Sequence, residues 1–218
     1  AENDEQAKVI ILNGGGGTFC AGADLEYLQA LQQYTYEENL ADSNHLKSLL
    51  WQIYSHPKIV IAQVEGHALA GGCGLVTVCD FCFAAVDAMF GYTEVKIGFV
   101  PALVMPFLLR RISEGRARQL LLTGTLIDAR EAYRMGLINC VCEKQTLLAE
   151  TMSFASSIIR ANSTEAMKTT KQLLANTQSL TLQEALTLAA ETNARARDTA
   201  DCRRGIAAFL KKEKMDWN

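Results

Sequence analysis

Residues 59–75 read IVIAQVEGHALAGGCGL, and this stretch decides the fold. Ile59–Val64 is short, rich in β-branched residues and followed by glycine, which predicts a buried strand. The glycine-rich turn 66–72 then leads into a predicted buried helix over residues 73–79. Phe81–Ala85 predicts another buried strand directly after that helix. Strands that are apolar on both faces and alternate with helices predict an α/β fold, with the sheet covered on both sides.

Helices dominate the chain beyond Pro101. Apolar residues recur there at helical spacing, Asp128 and Thr181 occupy N-cap positions, and Gly136 stands where a helix would end. Further strands are predicted at 7–12, 89–92 and 138–142. Further helices are predicted at 23–33, 44–54, 101–112, 114–122, 128–135, 144–161, 164–176, 181–195 and 200–214. We therefore divide the chain into an α/β core over residues 1–142 and a helical C-terminal region over residues 143–218.

The composition excludes several classes of protein. The chain has 218 residues, of which 49% are hydrophobic and 21% charged, as in an ordinary globular protein. Its net charge is −3, and the sequence has no block of basic residues, so nucleic acid is not an expected partner. The apolar stretches are shorter than a membrane span, and the acidic residues 1–5 do not follow the pattern of a secretory signal. We predict no membrane partner.

The seven cysteines lie mostly among apolar neighbours. This predicts reduced, partly buried thiols in a reducing compartment, and we expect a cytoplasmic location. Cys79 and Cys82 have CxxC spacing, but a redox or zinc site would need a second ligand pair or a thioredoxin-like context. Neither is present, and the chain has only three histidines. We interpret both cysteines as core residues and predict no metal site.

Two glycine-rich loops stand where a strand gives way to a helix, at residues 17–25 and 66–74. Such turns leave backbone N–H groups without helical partners, and a pair of them can hold a developing oxyanion. Losing one such donor costs about 2.7–4 kcal/mol in well-studied enzymes. The alternative is that both loops are only tight turns. Phosphate binding is less favoured, because Ala23-Asp24 follows where a P-loop needs Lys-Ser/Thr and no G-x-G-x-x-G is present.

Several motifs, in order, resemble those of the crotonase (enoyl-CoA hydratase/isomerase) superfamily. Residues 19–25 read FCAGADL, residues 68–75 read ALAGGCGL with Cys79-Asp80 after them, and residues 90–101 read FGYTEVKIGFVP. Residues 121–124, 136–138 and 205–210 continue the register. The resemblance covers nearly the whole chain, although the family's first strand pair and helix have no counterpart before Ala1. It implies a crotonase-like spiral of βαβ units and a homotrimer or homohexamer that acts on an acyl-CoA. No cofactor is implied, since coenzyme A belongs to the substrate.

The resemblance also implies roles for particular residues. The backbone N–H groups of Ala23 and Gly71 would form the oxyanion hole for the thioester oxygen. Glu94 falls where the family has a catalytic carboxylate, and apolar walls formed by Tyr92, Ile97 and Phe99 would raise its pKa. Asp24 also has the position of a helix N-cap, and Lys214 lies in a basic stretch that is ordinarily solvated. The positions that would contact the acyl-CoA are Ala21, Asp24, Leu25, Gly72, Pro101 and Lys214.

Gly74 departs from the family's pattern. Hydratases with two glutamates carry the second one at this position, and glycine can neither activate water nor accept a proton. A single acid–base group fits the shuttling of a proton between Cα and Cγ, as in Δ3,Δ2-enoyl-CoA isomerases. Hydration would need Glu94 to do both jobs, and methylglutaconyl-CoA hydratase-like members stay open as a match. The remaining alternative is a CoA- or RNA-associated scaffold that has lost catalysis.

Overall fold

Two sheets form the framework of the computed structural model, which describes residues 3–4 and 6–217 apart from the side chain of Leu25. The four-stranded sheet has the order β1-β2-β4-β7, and β4 pairs in parallel with both β2 and β7. In the three-stranded sheet, β5 pairs in parallel with β3 and antiparallel with β6. The strands are β1 Val9–Asn13, β2 Ile59–Val64, β3 His67–Leu69, β4 Phe81–Ala85, β5 Met89–Gly91, β6 Ile127–Asp128 and β7 Cys140–Cys142.

Ten α-helices and one 3-10 helix, Glu94–Ile97, connect and follow these strands in the described residues. The helices are α1 Leu25–Leu31, α2 Tyr36–Tyr54, α3 Gly71–Val78, α4 Met105–Arg111, α5 Glu114–Thr123, α6 Ala129–Met135, α7 Leu147–Ala161, α8 Thr164–Thr177, α9 Leu182–Arg197 and α10 Ala200–Leu210. The mixed α/β architecture with a helical C-terminal part confirms the predicted fold class.

The predicted strands and helices are confirmed, with differences at their ends. Helix α2 begins at Tyr36, eight residues before the predicted start at Asn44. A reciprocal cap explains the earlier start: the Glu38 backbone N–H donates to the Thr35 hydroxyl, while the Glu38 carboxylate accepts the Thr35 backbone N–H at 2.8 Å. Strands β3 and β6 and the 3-10 helix were not predicted, because segments of two to four residues carry too little periodicity.

Helix α10 ends at Leu210, so the predicted continuation to Lys214 is wrong. Lys212 adopts a left-handed conformation with φ 60°. Its N–H donates to the Phe209 carbonyl at 3.0 Å, and the Glu213 N–H donates to the Ala208 carbonyl at 3.0 Å. This pair of bonds is a Schellman motif, which terminates a helix. The predicted start of α4 at Pro101 is also wrong, because the helix begins at Met105.

The described chain divides into two compact units. The larger comprises Ile11–Tyr54 and Val60–Thr151. The smaller comprises the described residues within Ala1–Ile10, Ser55–Ile59 and Met152–Asn218, and in it α10 packs on α8 and α9. The proposed boundary at residue 142 stays a prediction. Among the described residues, no helix combines the length and apolar character needed to cross a membrane.

The core of the larger unit explains why β2 and β4 read as continuous apolar runs. Ile61, Ala62, Ala84 and Ala85 are completely buried, so neighbouring residues on both faces of the sheet are removed from water. Strands of this kind hold the turns at their ends in fixed positions, and the glycine-rich loop at residues 66–74 follows β2.

Candidate functional site

The two glycine-rich loops lie directly against each other in the larger unit. Cys20 forms an isolated parallel bridge with Ala68, and the Leu69 N–H donates to the Cys20 carbonyl at 2.9 Å. A Cβ added at Gly72 would lie 2.2 Å from that same carbonyl oxygen. Only glycine at position 72 allows this approach, so Gly72 supports the packing of the two loops.

The turn into α3 is strained at Ala70. This residue has φ 50° and ψ −125°, a conformation that L side chains rarely adopt. Its N–H donates to the Gly91 carbonyl at 2.8 Å, which anchors the turn on β5. The next residue, Gly71, is the first of α3, so its N–H points out of the helix N-terminus.

The Ala23 and Gly71 N–H groups make no hydrogen bond within the described part of the chain. Ala23 follows Gly22, whose φ of 112° requires glycine. A Cβ added at Gly22 would lie 3.4 Å from the Ala70 Cβ, so the two turns that carry these donors are neighbours. Two unpaired N–H groups on adjoining turns can both donate to one external oxygen.

Asp24 is the N-cap of α1, as predicted. One of its carboxylate oxygens accepts the N–H groups of Glu26 at 2.9 Å and Tyr27 at 3.2 Å. Ala21, Ala23 and Asp24 are all exposed, so this loop is open to a ligand. The predicted contact of the Leu25 side chain lies outside the described residues.

Glu94 is a buried carboxylate with an unused oxygen. The residue is only 9% exposed and begins the 3-10 helix after β5. Desolvation raises the pKa of Glu94, and a hydrogen bond from its own backbone N–H partly opposes the rise. Its Oε2 is buried and has no hydrogen-bond partner in the part of the chain that the structure describes. Such a carboxylate is ready to exchange a proton with a ligand.

The predicted apolar walls around Glu94 are only partly correct. Tyr92 is completely buried, but Ile97 is 72% exposed and Phe99 is 59% exposed. The 3-10 helix and the left-handed Gly98 that ends it turn these two side chains outward. Desolvation is the main cause of the raised pKa of the buried Cys73 thiol, and the charge of Glu94 adds to the rise, which is consistent with Glu94 lying near the first turn of α3.

Gly74 is covered by Val104. A Cβ added at Gly74 would lie 2.2 Å from Val104 Cγ1 and 3.2 Å from Val104 Cβ. Val104 is 4% exposed and precedes α4, in the segment that follows Pro101. Gly74 lies one turn after Gly71 on α3, so the surface beside the Gly71 N–H is lined by an aliphatic side chain.

A buried polar cluster under the site was not predicted. The hydroxyl groups of Tyr92 and Thr77 share a hydrogen bond of 2.5 Å, and the Thr77 hydroxyl also donates to the Cys73 carbonyl at 2.8 Å. Burial raises the pKa of the Cys73 thiol to about 12 and that of Tyr92 well above its usual value, so both stay protonated. The signal in the sequence was one threonine within the apolar run 72–78.

Arg111 binds the C-terminal end of α3. Its guanidinium donates to the carbonyls of Thr77 at 3.1 Å and Cys79 at 2.5 Å. It also donates to the Leu137 carbonyl and to the Asn139 side chain. A cation at this end of a helix is favourable because the carbonyls there have no helical partners.

Lys214 lies in the smaller unit, beyond the end of α10, and is exposed. Pro101 is half-buried and ends the segment after the 3-10 helix. The structure thus brings Ala23, Gly71, Gly72 and the neighbourhood of Glu94 together in the larger unit. Cys79 and Cys82 are buried in it. Within the described residues, no group of three metal-ligating side chains is found.

Comparison with known proteins gives concordant matches. The family model for enoyl-CoA hydratase/isomerase matches residues 1–218. A Thermus thermophilus protein is 40% identical over 211 residues, which cover 97% of this chain and 83% of that relative. A crotonyl-CoA hydratase of Syntrophomonas wolfei is 34% identical over 220 residues, covering 100% of this chain and 83% of its own. The crystal structure of an enoyl-CoA hydratase from Mycobacterium smegmatis has a TM-score of 0.92 at 29% identity, covering 99% of this chain and 83% of that one.

Proposed function

Because this chain belongs to the enoyl-CoA hydratase/isomerase family of the crotonase superfamily, we propose that it adds water to a 2-enoyl-CoA thioester, with Glu94 as its one acid–base group. The observation that carries the proposal is the buried Glu94 carboxylate, whose Oε2 has no hydrogen-bond partner among the described residues. The names of the relatives support hydration as the reaction.

The oxyanion hole consists of the Ala23 and Gly71 N–H groups. Negative charge develops on the thioester oxygen as the enolate forms. Both donors lack partners within the described residues, so they are available before the reaction begins. Preorganised donors of this kind need no rearrangement when the charge appears, which is the basis of their effect on rate.

Glu94 moves one proton in two steps. Its Oε2 accepts a proton from water while the water oxygen bonds to Cβ and the double-bond electrons move toward the thioester oxygen. The same carboxyl group then gives that proton to Cα as the enolate collapses. The raised pKa of Glu94 suits a group that must both take and return a proton.

Double-bond migration is the second candidate reaction, favoured by the contact of Gly74 with Val104. No second carboxylate can stand at position 74 without displacing Val104. In this reaction Glu94 removes a proton from Cα of a 3-enoyl-CoA and returns it at Cγ. The product is the 2-enoyl-CoA, and no water is consumed.

Further parts of the proposal concern binding and assembly. Ala21, Leu25, Gly72, Pro101 and Lys214 are proposed contacts of the acyl-CoA, and Asp24 contributes as the cap that shapes the loop. A homotrimer or homohexamer is proposed as the assembly, since large exposed apolar patches mark interfaces and α9 and α10 carry several exposed apolar side chains. They are Leu182, Leu186, Ile206, Phe209 and Leu210.

The test is NMR of the purified protein in D2O with crotonyl-CoA and, separately, with a 3-enoyl-CoA. A 3-hydroxyacyl product with deuterium at Cα supports hydration. Migration of the double bond without hydration supports the isomerase instead. Glu94→Gln is the control and should abolish either reaction. If both substrates stay unchanged with the unmodified protein, hydratase and isomerase activity on these substrates are both refuted, and the binding-only scaffold becomes the next hypothesis to test.

A further inference from the structure

We propose that Tyr92 is a positioning residue that sets the Glu94 carboxylate at a fixed place relative to the Gly71 N–H. It acts through a hydrogen-bonded cluster with Thr77 and Cys73 of α3. The proposal rests on the proposed roles of Glu94 and Gly71 and assigns to Tyr92 a task separate from either.

The Glu94 side chain has little to hold it in place. Among the residues that the structure describes, its Oε2 has no hydrogen-bond partner, and the carboxylate is held only by a bond from its own backbone N–H. A carboxylate that must stay unpaired for chemistry cannot be oriented by a strong side-chain bond. Its position therefore depends on how firmly the backbone around residue 94 is fixed.

That backbone is anchored on both sides of Glu94. Before it, the Gly91 carbonyl accepts the Ala70 N–H at 2.8 Å, and the completely buried Tyr92 hydroxyl bonds Thr77 at 2.5 Å. After it, the Phe99 N–H donates to the Glu94 carbonyl at 3.0 Å. Of these three contacts, the one made by Tyr92 involves a side chain, and the other two are backbone hydrogen bonds. Tyr92 lies two residues before Glu94.

The other end of the cluster belongs to α3, the helix that presents the Gly71 N–H. Cys73 and Thr77 are four residues apart and share one helix face. Since the single hydroxyl hydrogen of Thr77 is donated to the Cys73 carbonyl, the Tyr92 hydroxyl is the donor to Thr77. One buried cluster therefore joins the oxyanion helix to the segment that carries Glu94.

The test compares Tyr92→Phe, Thr77→Val and the double variant with the unmodified protein. Each single change removes one hydroxyl and keeps most of the packing volume. We expect kcat to fall about ten- to hundredfold with KM within about twofold, because a small misplacement of a catalytic group costs rate rather than binding. We also expect the inflection of the kcat–pH profile to shift. The double variant should be no slower than the slower single variant, because the two hydroxyl groups act as a pair.

Thr151→Val is the matched control. Thr151 is completely buried in the same unit and donates to the Leu147 carbonyl at 2.8 Å, as Thr77 does to Cys73. This variant should lower the thermal midpoint and leave kcat and its pH profile unchanged. Thr77→Ser keeps the hydroxyl and should restore most of the rate lost in Thr77→Val.

The outcomes separate this proposal from the proposed function. A Tyr92→Phe protein with an unchanged kcat and pH profile would overturn the role of Tyr92 while Glu94 remains catalytic. Full activity of Glu94→Gln would instead refute the function on which the inference rests. If Tyr92→Phe does not fold, the Thr77→Val and Thr77→Ser pair decides, and equal rates for those two would refute the proposal.

Discussion

Gly74 and Val104 fit each other so closely that a single added carbon at position 74 would lie 2.2 Å from Val104 Cγ1. We expect Gly74→Ala to lower the free energy of unfolding by about 1–3 kcal/mol, the usual cost of overpacking. Val104→Ala in the same chain removes the methyl group that causes the collision. The double variant should therefore be more stable than the sum of the single changes predicts.

Chemical denaturation of the four proteins in this cycle measures that coupling. Gly115→Ala is a suitable control, since a Cβ there has no described atom within 4 Å and the site lies within α5. It should be neutral or stabilising, because alanine is the better helix former. Strict additivity of Gly74→Ala and Val104→Ala would contradict the contact.

Glu94 should make stability depend on pH. Its pKa in the folded protein lies above the ordinary value, so the stabilising contribution of this group is fully present below the unfolded pKa. It is lost as the pH rises through the folded pKa, where the buried carboxylate must ionise. Glu94→Gln has no such titration, so it should become more stable relative to the unmodified protein as the pH rises through this window.

Thermal unfolding of both proteins from about pH 4 to pH 8 checks this expectation. The same titration should appear in kcat/KM, which should fall on acidification because the Glu94 base becomes protonated. The pH at the inflection of this profile should lie above the ordinary pKa of a glutamate. A stability difference that is constant across the range would show that Glu94 has the same pKa folded and unfolded.

Ala70 holds its strained conformation at a cost that glycine would not incur. A non-glycine residue in such a region costs about 1–3 kcal/mol, while the added freedom of glycine in the unfolded chain costs about 0.4–1 kcal/mol. We therefore expect Ala70→Gly to stabilise the protein by about 1 kcal/mol. Ala68→Gly is the control with the opposite expected sign. Ala68 is completely buried in β3, so this change should destabilise the protein. If both changes lower the melting temperature, Ala70 is not strained.

Asp24 should matter for the helix rather than for the reaction. Asp24→Ala removes the acceptor for two backbone N–H groups and should cost about 1 kcal/mol of stability. Asp24→Asn keeps a capping oxygen and should be nearly neutral. Calorimetry and KM measurements on the two variants distinguish the roles, because an unchanged stability with a raised KM in Asp24→Asn would assign the carboxylate to substrate binding.

The fold could be predicted from the sequence where a segment has its own signal. Strand β2 was predicted at its observed bounds because its apolar run stands between Pro57 and Gly66. The caps Asp128 and Thr181 were predicted because each stands just before a run of apolar residues at helical spacing, and each side chain does accept the N–H three residues later. Helix α2 was predicted too short, because its first turns are polar and the cap at Thr35 was overlooked.

The site was predictable only as far as its parts are local. Asp24, Gly71 and Glu94 stand within short motifs, so their positions could be read directly from the chain. The fit of Val104 on Gly74 and the bond of Tyr92 to Thr77 join different elements, and only packing brings them together. The exposure of Phe99 was unpredictable for the same reason, since the direction of a side chain depends on the 3-10 turn before it.

Helix α3 is secured at both ends, which limits how the gene can change in length. Ala70 is tied to Gly91 at one end, and Arg111 binds the carbonyls of Thr77 and Cys79 at the other. One inserted residue would rotate the rest of the helix by about 100° about its axis and shift it by about 1.5 Å along the axis. No such insertion could keep both ends in place, so we expect insertions and deletions to be rejected within α3. The turn at Gly15, where an added Cβ would have no described atom within 4 Å, should accept them.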